Sequence, residues 1–277
     1  MSSPAVSAGP VERLGEQALD IVANVGNVAD FASRTLAWLF TRLPKRETLL
    51  PVFYQIGVRS VPVVAVTGMF IGMVMAVQTH AQFHKIHLET RLGSMINISI
   101  VRELGPVLAA TMLAGRVGSA LAAELGTMRI TEQIDALSAL GANPIHYLVV
   151  PRFLACVLLT PLLTVMADFM GVVGGDVIST MILHVDRYHY WVHSQEFVGT
   201  WDVTSGLFKS LFFGAAIAII SCHRGFNSRA GAEGVGRAAT EAFVYSFIAI
   251  LVLDFFLGIS LKATYERLWP TEAGGLI

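Results

Sequence analysis

The chain has little charge and almost no cysteine. Asp, Glu, Lys and Arg make up only 14% of its 277 residues, whereas an average soluble domain has about 25%. The two cysteines, Cys156 and Cys222, both fall in apolar stretches and form no CxxC pair, which excludes a disulfide framework and a zinc-thiolate motif. A formal net charge of −1 and the lack of an RNA- or DNA-binding motif argue against nucleic acid as a partner.

The sequence also lacks the GxxxxGK[ST] phosphate loop. A chain without this loop cannot hydrolyse ATP by the P-loop mechanism. We therefore expect no catalytic residue and no cofactor in this chain. The energy for any ATP-driven work has to come from another subunit, which would bind the ATP and its Mg²⁺.

Compact zinc motifs are scarce as well. The histidine pairs that come nearest to one are His80-xxx-His84 and His189-xxx-His193, and neither belongs to an HExxH motif. Since both pairs follow apolar stretches, they are read as interfacial histidines, and no metal site is expected.

Hydrophobic residues are abundant, at 54% of the total with a mean hydropathy of +0.63. Five apolar stretches reach the roughly 20 residues that a helix needs to cross a bilayer. They lie at 55–79, 92–123, 148–183, 205–223 and 238–262. We predict an all-α membrane protein with about five transmembrane helices, and we expect bends at Gly105-Pro106 and at Pro161.

The residues before the first span have a different pattern. Residues 1–10 are rich in Ser, Ala, Pro and Gly and are expected to be disordered. Over 11–48, apolar residues recur near the helical period with charged residues between them, which predicts an amphipathic helix at the membrane interface. A soluble helix packed on a partner is the alternative, and Pro44 ends the helix in both cases. The start of the chain lacks the pattern of a cleavable signal peptide, so the first span is expected to be retained.

Basic residues predict the orientation of the spans. A cytoplasmic N-terminus puts most Lys and Arg on the inner side, as the positive-inside rule requires. The outer side then has Lys85, Arg91, Arg187, Lys209, Lys262 and Arg267. With five spans the C-terminus is external, and the polar segment between the second and third spans faces the cytoplasm.

Small residues recur at a spacing of four within the spans. The clearest cases are Gly68-xxx-Gly72 and Gly171-xxx-Gly175. Small residues let helix backbones approach closely in lipid, where no hydrophobic force drives helices together. Packing within the chain is the favoured interpretation, and a dimer contact is the alternative.

Two charged residues, Arg102 and Glu103, lie well inside the second span. A charge at this depth costs about 2.5–3.5 kcal/mol on insertion scales, so both side chains should face the protein interior. Neighbours in sequence point about 100° apart on a helix and need not pair with each other. A polar element in a transport pathway and an interhelical ion-pair clamp are equally compatible with the pattern.

The segment 124–152 is polar and has a helical pattern, although apolar stretches surround it. Its sequence predicts a short surface helix that contains Glu132, Asp135 and Leu137, extends to Leu140 and Gly141, and ends before Asn143-Pro144. A simple connection between two spans could be far shorter. The segment is therefore predicted to be a docking site for a soluble partner.

Sequence motifs along most of the chain resemble those of a known family. RELGPVLAATMLAGRVGSALAAELGTMRITEQIDAL begins at Arg102, LGANPIHYLVVPRFLA begins at Leu140, and GMFIGMVMAVQ begins at Gly68. Their order and spacing closely resemble the MlaE/YrbE family of ABC-transporter permeases. The resemblance runs from about Leu49 to Leu261 and is densest over 102–175, so 49–277 is expected to be an MlaE-type permease domain.

The resemblance implies a set of partners and a cargo. Members of this family form homodimers in the bacterial inner membrane and act with two copies of a cytoplasmic ABC ATPase. An external MCE-domain protein and, in some systems, a small STAS-domain regulatory subunit complete the complex. The cargo is a lipid, usually a phospholipid, which moves between the inner membrane and the outer envelope.

The resemblance also implies roles for individual residues. The family's coupling helix, which fits a groove of the ATPase, corresponds to 124–144. The coupling positions are thus Glu124, Arg129, Glu132, Asp135, Leu137, Gly141, Asn143 and Pro144. The run DALSALGANP is also similar to the coupling loop of bacterial ABC importers, and Asp135 stands where those importers have Glu.

A second set of positions is implied for the lipid. The family's lipid cavity opens outward between the two permease copies, and its wall includes the first span and the loop that follows. The candidate lipid contacts are Met75, Gln82, Phe83 and Ile86, with Arg102 and Glu103 near the base of the cavity. Gln82 replaces an apolar residue of the best-known members.

Two other functions compete with an ABC permease. A proton-coupled secondary transporter could use Arg102 and Glu103, but such transporters usually contain two related halves, and no convincing internal repeat is detectable. A membrane scaffold without a transport cavity is the other alternative.

Overall fold

The computed structural model describes residues 10–41, 44–86 and 91–268 and contains helices and no strand within these ranges. Eleven α-helices are described. They are α1 (Pro10–Thr41), α2 (Arg46–Ile56), α3 (Val61–Phe83), α4 (Leu92–Ser99), α5 (Gly105–Leu113), α6 (Ser119–Ile130), α7 (Gln133–Ala139), α8 (Val150–Val177), α9 (Arg187–Phe197), α10 (Thr200–Phe226) and α11 (Ala232–Leu268).

Several helices join end to end, so that five segments of the described residues are long and apolar enough to cross a membrane. These segments are Arg46–Phe83, Leu92–Ile130, Ile145–Ile182, Thr200–Phe226 and Ala232–Leu268. The prediction of an all-α membrane protein with five spans is confirmed. Each segment begins earlier than predicted or ends later, because the helices continue beyond the apolar residues into polar ones.

The second segment contains two wide turns of π-helix, at Ile100–Leu104 and Ala114–Gly118. In these turns the backbone N–H donates to the carbonyl five residues earlier, rather than four as in an α-helix. The first of these lies directly before Gly105-Pro106, where a bend is predicted. Proline has no N–H to bond the carbonyl four residues earlier, and a wide turn accommodates that gap. Pro161, the other predicted bend, lies within α8, which continues through this residue as one α-helix, and the bend there stays a prediction.

Helices α3 and α8 pack closely along their length, and glycine makes their approach possible. A Cβ added at Gly72 would overlap the carbonyl oxygen of Gly171, and one added at Gly68 would overlap the backbone of Ala167. The two GxxxG motifs thus face each other inside one chain, as the favoured interpretation of the sequence predicts.

Helix α10 occupies the centre of the bundle and packs on α5, α6, α8 and α11. It too uses small residues, since a Cβ at Gly206, Gly214 or Gly225 would press on a backbone carbonyl of a neighbouring helix. Its apolar side chains, such as Phe213 and Ile217, are almost fully buried in the main hydrophobic cluster.

Helix α1 lies across one end of the bundle. Phe31 is buried there, with ring centroids 5.5 Å from His223 and 5.7 Å from Phe226. Its apolar side chains Leu19, Val22, Val25 and Phe40 are exposed. The described helix extends to Thr41, before Pro44, which is predicted to end it, and residues 46–48 of the predicted interfacial segment 11–48 belong to α2. Apart from Pro10, the predicted disordered segment 1–10 lies outside the described residues.

Replacing Gly72 with Ala should destabilise the protein, because the new methyl group has no space against Gly171. Overpacking of this kind costs about 1–3 kcal/mol. The measurement is the thermal unfolding midpoint of the detergent-purified protein. Gly236→Ala on α11 is the matched control, since nothing lies within 4 Å of a Cβ at that position. Equal midpoints for the two variants would show that the close approach of α3 and α8 does not limit stability.

Candidate functional site

A buried lysine joins three segments of the bundle. Lys209 of α10 is only 2% exposed, and its Nζ lies 2.6 Å from Oε2 of Glu103 and 3.0 Å from Oδ1 of Asp254 on α11. An ammonium group at this depth is stable only when carboxylates or other acceptors replace its water shell. The charged cluster of Glu103, Lys209 and Asp254 therefore fixes three elements at the same depth in the bundle. They are the wide turn Ile100–Leu104, α10 and α11.

This cluster corrects the sequence-based assignment of Lys209. The orientation count places Lys209 on the outer side, whereas the structure places it inside α10, away from water. The signal was present in the sequence, because Lys209 already falls within the predicted span 205–223. An ionisable residue inside a span is by default a candidate for function.

Arg102 binds a different partner from that of Glu103. Its Nη1 lies 3.8 Å from Oδ1 of Asp202, near the start of α10. Oδ2 of Asp202 also accepts the backbone N–H of Gly199 at 3.0 Å, which fixes the carboxylate at the helix end. Arg102 is 40% exposed on its side chain, so part of the guanidinium remains open for other contacts.

A groove of about 440 Å³ runs beside these charges, between α4 and α11. Its lining combines apolar side chains with charges and consists of Met95, Ile98, Ser99, Arg102, Glu103, Gly258, Ile259 and Lys262. Arg102 and Lys262 provide cationic groups. The negative charge of Glu103 is neutralised by the buried Lys209, which does not line the groove. Such a groove matches an amphiphilic ligand that has an anionic head and an apolar body.

Of the four positions that the resemblance assigns to lipid contact, the three with described side chains, Met75, Gln82 and Phe83, do not line this groove. Met75 and Phe83 are partly buried and pack on the cluster formed by α4 and α9, which includes Ile96 and Tyr190. Gln82 is exposed on the last turn of α3. The side chain of Ile86 lies outside the described residues.

At the other end of the bundle, the predicted surface helix is present as α7 (Gln133–Ala139), between two residues with left-handed backbone. Glu132, directly before it, has φ 59°, and Gly141, just after it, has φ 78°. The N–H of Ala142 donates to the carbonyl of Leu137 and closes the helix end. Asn143 accepts the N–H groups of Ile145 and His146 at 3.0 and 3.3 Å and so begins the next helical segment.

The inner face of α7 is anchored in the bundle. Ile134 is 4% exposed and Leu137 is partly buried, and both pack on a cluster that includes Leu125, Leu148 and Val149. Residues three apart share one face of a helix, so these two side chains fix the rotation of α7. Its other face points away from the bundle.

Two ion pairs tie the segment around α7 to its neighbours. Oε1 of Glu124 lies 2.9 Å from Nη2 of Arg152 at the start of α8, and Nη1 of Arg129 lies 2.6 Å from Oδ1 of Asp135. Three of the predicted coupling residues are therefore engaged inside the chain. The surface that remains open includes Glu132, Gln133, Ala136 and Leu140, and Leu140 is 83% exposed.

Helix α9 caps the opposite end of the bundle. Tyr190 is buried and donates its hydroxyl to Oδ1 of Asn97 at 3.2 Å, and Nδ2 of Asn97 donates to Ser194 at 2.9 Å. Burial raises the pKa of Tyr190, and nearby Asp176 raises it further. Asp176 also accepts the indole N–H of Trp191 at 3.1 Å. These contacts fasten α9 to α4 and α8.

The start of α9 is capped by Asp186. Its carboxylate accepts the backbone N–H of Tyr188, which lowers the pKa of Asp186, and a hydrogen bond from His189 lowers this pKa further.

Among residues 10–41, 44–86 and 91–268, no group of three or more His, Cys, Asp and Glu side chains is arranged to hold a metal ion.

Comparison with known proteins gives a consistent family. The sequence model of the family described as Permease MlaE matches residues 49–259. A probable ABC transporter permease protein of Synechocystis is 45% identical over 216 residues, which are 78% of this chain and 82% of that protein. The intermembrane phospholipid transport system permease protein MlaE of Haemophilus influenzae is 32% identical over 248 residues, which are 89% of this chain and 95% of that protein.

Another relative comes from a plant. The chloroplast protein TRIGALACTOSYLDIACYLGLYCEROL 1 of Arabidopsis thaliana is 38% identical over 201 residues, which are 73% of this chain and 57% of that protein. Five membrane-spanning segments, a family match over most of the chain and relatives that align nearly end to end agree with one another. The chain therefore belongs to the MlaE family of ABC-transporter permeases, multi-pass proteins of the inner membrane.

Proposed function

We propose that this chain is the permease subunit of an ABC transporter that moves phospholipids between the inner membrane and the outer envelope of a bacterium. The observation that supports this most directly is the groove beside Arg102 and Glu103, which pairs cationic groups with apolar walls inside the membrane. A phospholipid has the same division between a charged head and apolar chains. The name of the Haemophilus influenzae relative, a phospholipid transport permease, agrees with this cargo.

The lipid path is best completed by a second copy of the chain. The groove between α4 and α11 is open on one side, and a homodimer would close it. In this arrangement the phosphate approaches Arg102 and Lys262, and the acyl chains extend along Met95, Ile98 and Ile259. Met75, Gln82, Phe83 and Ile86 would line the path further along the first span, toward the end that α9 covers.

Two copies of a separate cytoplasmic ATPase would dock on the α7 end. Leu140 projects from this end as a large exposed apolar side chain, and the acidic Glu132 flanks the same surface. Exposed apolar groups with a polar rim are typical of protein contacts. ATP and Mg²⁺ would be bound by that partner. An external MCE-domain protein would face the α9 end, and a STAS-domain subunit is proposed to bind the ATPase.

This arrangement implies an orientation. The N-terminus and α7 would lie in the cytoplasm, and α9 and the C-terminus would lie outside. The correction of Lys209 strengthens the positive-inside bias, because it removes a basic residue from the outer count.

The second segment, Leu92–Ile130, is the proposed mechanical link. It runs from the groove, through the wide turns Ile100–Leu104 and Ala114–Gly118, to the end that is joined to α7. The pairs Glu124–Arg152 and Arg129–Asp135 make the α7 segment follow its neighbours. ATP binding would bias a two-state equilibrium in which movement of α7 opens or closes the groove.

Replacing Glu103 with Gln should slow lipid movement and leave the protein folded. Lys209 keeps its ion pair with Asp254 and can still donate to the new amide oxygen, but its ion pair with Glu103 at 2.6 Å is lost. An interaction with a charged partner contributes about 1.5–3 kcal/mol, and a loss of that order in one state of the transport cycle lowers lipid transfer roughly tenfold or more. The measurement is transfer of fluorescent phospholipid in vesicles that contain the reconstituted complex, with ATPase activity as a second readout.

Glu266→Gln is the control for the Glu103 variant, because Glu266 is exposed on the last turn of α11. It makes the same chemical change away from the groove and should transfer lipid at the wild-type rate. If the Glu103→Gln variant transfers lipid at the wild-type rate, the charged cluster does not contribute to the lipid path.

Replacing Leu140 with Glu should weaken binding of the ATPase, because a charge would replace the strongly exposed apolar side chain that directly follows α7. Loss of a central apolar contact costs about 1–2 kcal/mol or more, so affinity should fall roughly tenfold. Co-purification of the ATPase with the tagged permease would measure this. Val192→Glu on α9 makes a similar change at the other end, where Val192 is 40% exposed. If both variants retain the ATPase equally, α7 is not the docking site.

A further inference from the structure

A second groove, of about 200 Å³, lies near the α7 end of the bundle and is separate from the groove at Glu103. Its floor is apolar and includes the buried side chains of Ile56, Val117 and Leu121. Two arginines, Arg59 and Arg116, line it together with Gln55. Along the second segment, at about 1.5 Å per residue, Arg116 lies roughly 21 Å from Arg102, so the two grooves occupy different halves of the membrane.

Arg116 is held in this groove by local structure. It lies in the wide turn Ala114–Gly118, and turns of this kind often mark functional sites. Its Nη1 donates to the hydroxyl of Ser60, which in turn donates to the carbonyl of Ile56. The guanidinium is thereby placed at the joint between α2 and α3, and its other N–H groups remain available for an acceptor.

Arg59 approaches the same groove from the turn Val58–Ser60. Its guanidinium lies 5.9 Å from the centre of the Tyr54 ring, and the residue is exposed. Within the described part of the chain, neither Arg59 nor Arg116 has a carboxylate at ion-pair distance. Arg102 in the first groove, by contrast, has an acidic partner on α10.

The depth of the groove indicates what neutralises these charges. Helix α3 has 23 residues, which at 1.5 Å each span about 35 Å and exceed the roughly 30 Å hydrocarbon core. Arg59 lies two residues before the start of α3 and is therefore at the level of the lipid headgroups. Water, a protein carboxylate and a lipid phosphate are the available acceptors there, and planar guanidinium groups bind phosphate oxygens in a bidentate manner.

We propose that Arg59 and Arg116 form a binding site for the phosphate of a membrane phospholipid in the leaflet on the α7 side. The phosphate bridges the two guanidinium groups, and an acyl chain covers the apolar floor formed by Ile56, Val117 and Leu121. The bound lipid fills the joint between α2 and α3 and links it to the second segment. This site goes beyond the proposed function, since it is an equilibrium binding site that requires neither ATP nor a partner protein.

Native mass spectrometry of the full-length chain in an uncharged detergent tests this proposal. The probes are dioleoyl phosphatidylglycerol, dioleoylglycerol, which has the same chains and no phosphate, and glycerol 3-phosphate, which has no chains. The wild type should bind phosphatidylglycerol with an affinity that falls roughly tenfold or more in Arg59→Gln and in Arg116→Gln. Arg116→Lys keeps the charge but loses the planar fork, so it should bind with intermediate affinity.

Arg46→Gln is the matched control, because Arg46 is an exposed cation at the first residue of α2 and does not line the groove. This variant should bind phosphatidylglycerol like the wild type. If the Arg46 variant loses as much affinity for phosphatidylglycerol as the Arg59 and Arg116 variants, the attraction to anionic lipid is general and the proposal is overturned. The proposal is also overturned if dioleoylglycerol binds as tightly as phosphatidylglycerol, or if glycerol 3-phosphate at the same concentration displaces the lipid.

The Arg59 variant keeps the test decisive if Arg116→Gln fails to fold. Arg59 is exposed and contacts the Tyr54 ring rather than a buried group, so its removal leaves the bundle intact. Unchanged affinity in a folded Arg59→Gln protein would refute the shared site. The lipid-binding measurements on the Arg59 and Arg116 variants include no ATPase. A failure of the proposed binding site is therefore distinct from a failure of the proposed transport function.

Discussion

A single buried ammonium group sets the arrangement of the bundle. Lys209 can remain without water only while Glu103 and Asp254 supply oxygens. Because the two carboxylates come from different segments, this requirement fixes the wide turn Ile100–Leu104 and α11 against α10 at the same level. Close packing at Gly206 and Gly214 then follows, since α10 cannot move outward without separating the charges. Electrostatics and small-residue packing thus specify the same position for the central helix.

The α7 end is built differently, from a buried anchor with charges at its surface. Ile134 and Leu137 hold the helix by apolar contact, whereas Arg129 and Asp135 form an exposed ion pair and Glu124 pairs with the buried Arg152. An exposed pair contributes little to stability, typically up to about 1 kcal/mol. The main effect of the Arg129–Asp135 pair is therefore to fix the direction in which α7 is presented. The strongly exposed Leu140 is then free to contact another protein.

The sequence alone predicted the class of fold, the number of spans and the short helix before Asn143, because long apolar runs and helix-ending residues are local signals. It also identified Arg102 and Glu103. It did not identify their partners, since the pairing of Glu103 with Lys209 joins residues that are distant in sequence. Lys209 was assigned to the wrong environment because counting charges by loops ignores a basic residue inside a span. The internal use of Glu124 and Asp135 was equally invisible, since a charged surface helix has the same pattern whether its charges are paired or free.

The two wide turns of the second segment also bear on how such a chain can change over evolutionary time. Each turn holds one more residue than an α-helical turn would, and each lies between helices whose packing is fixed at both ends. A deletion of one residue within Ala114–Gly118 would turn the bulge into regular helix, and the helices on either side would keep their faces. The loss of a single residue inside a membrane span, which ordinarily rotates everything beyond it by about 100°, can be absorbed at these two places.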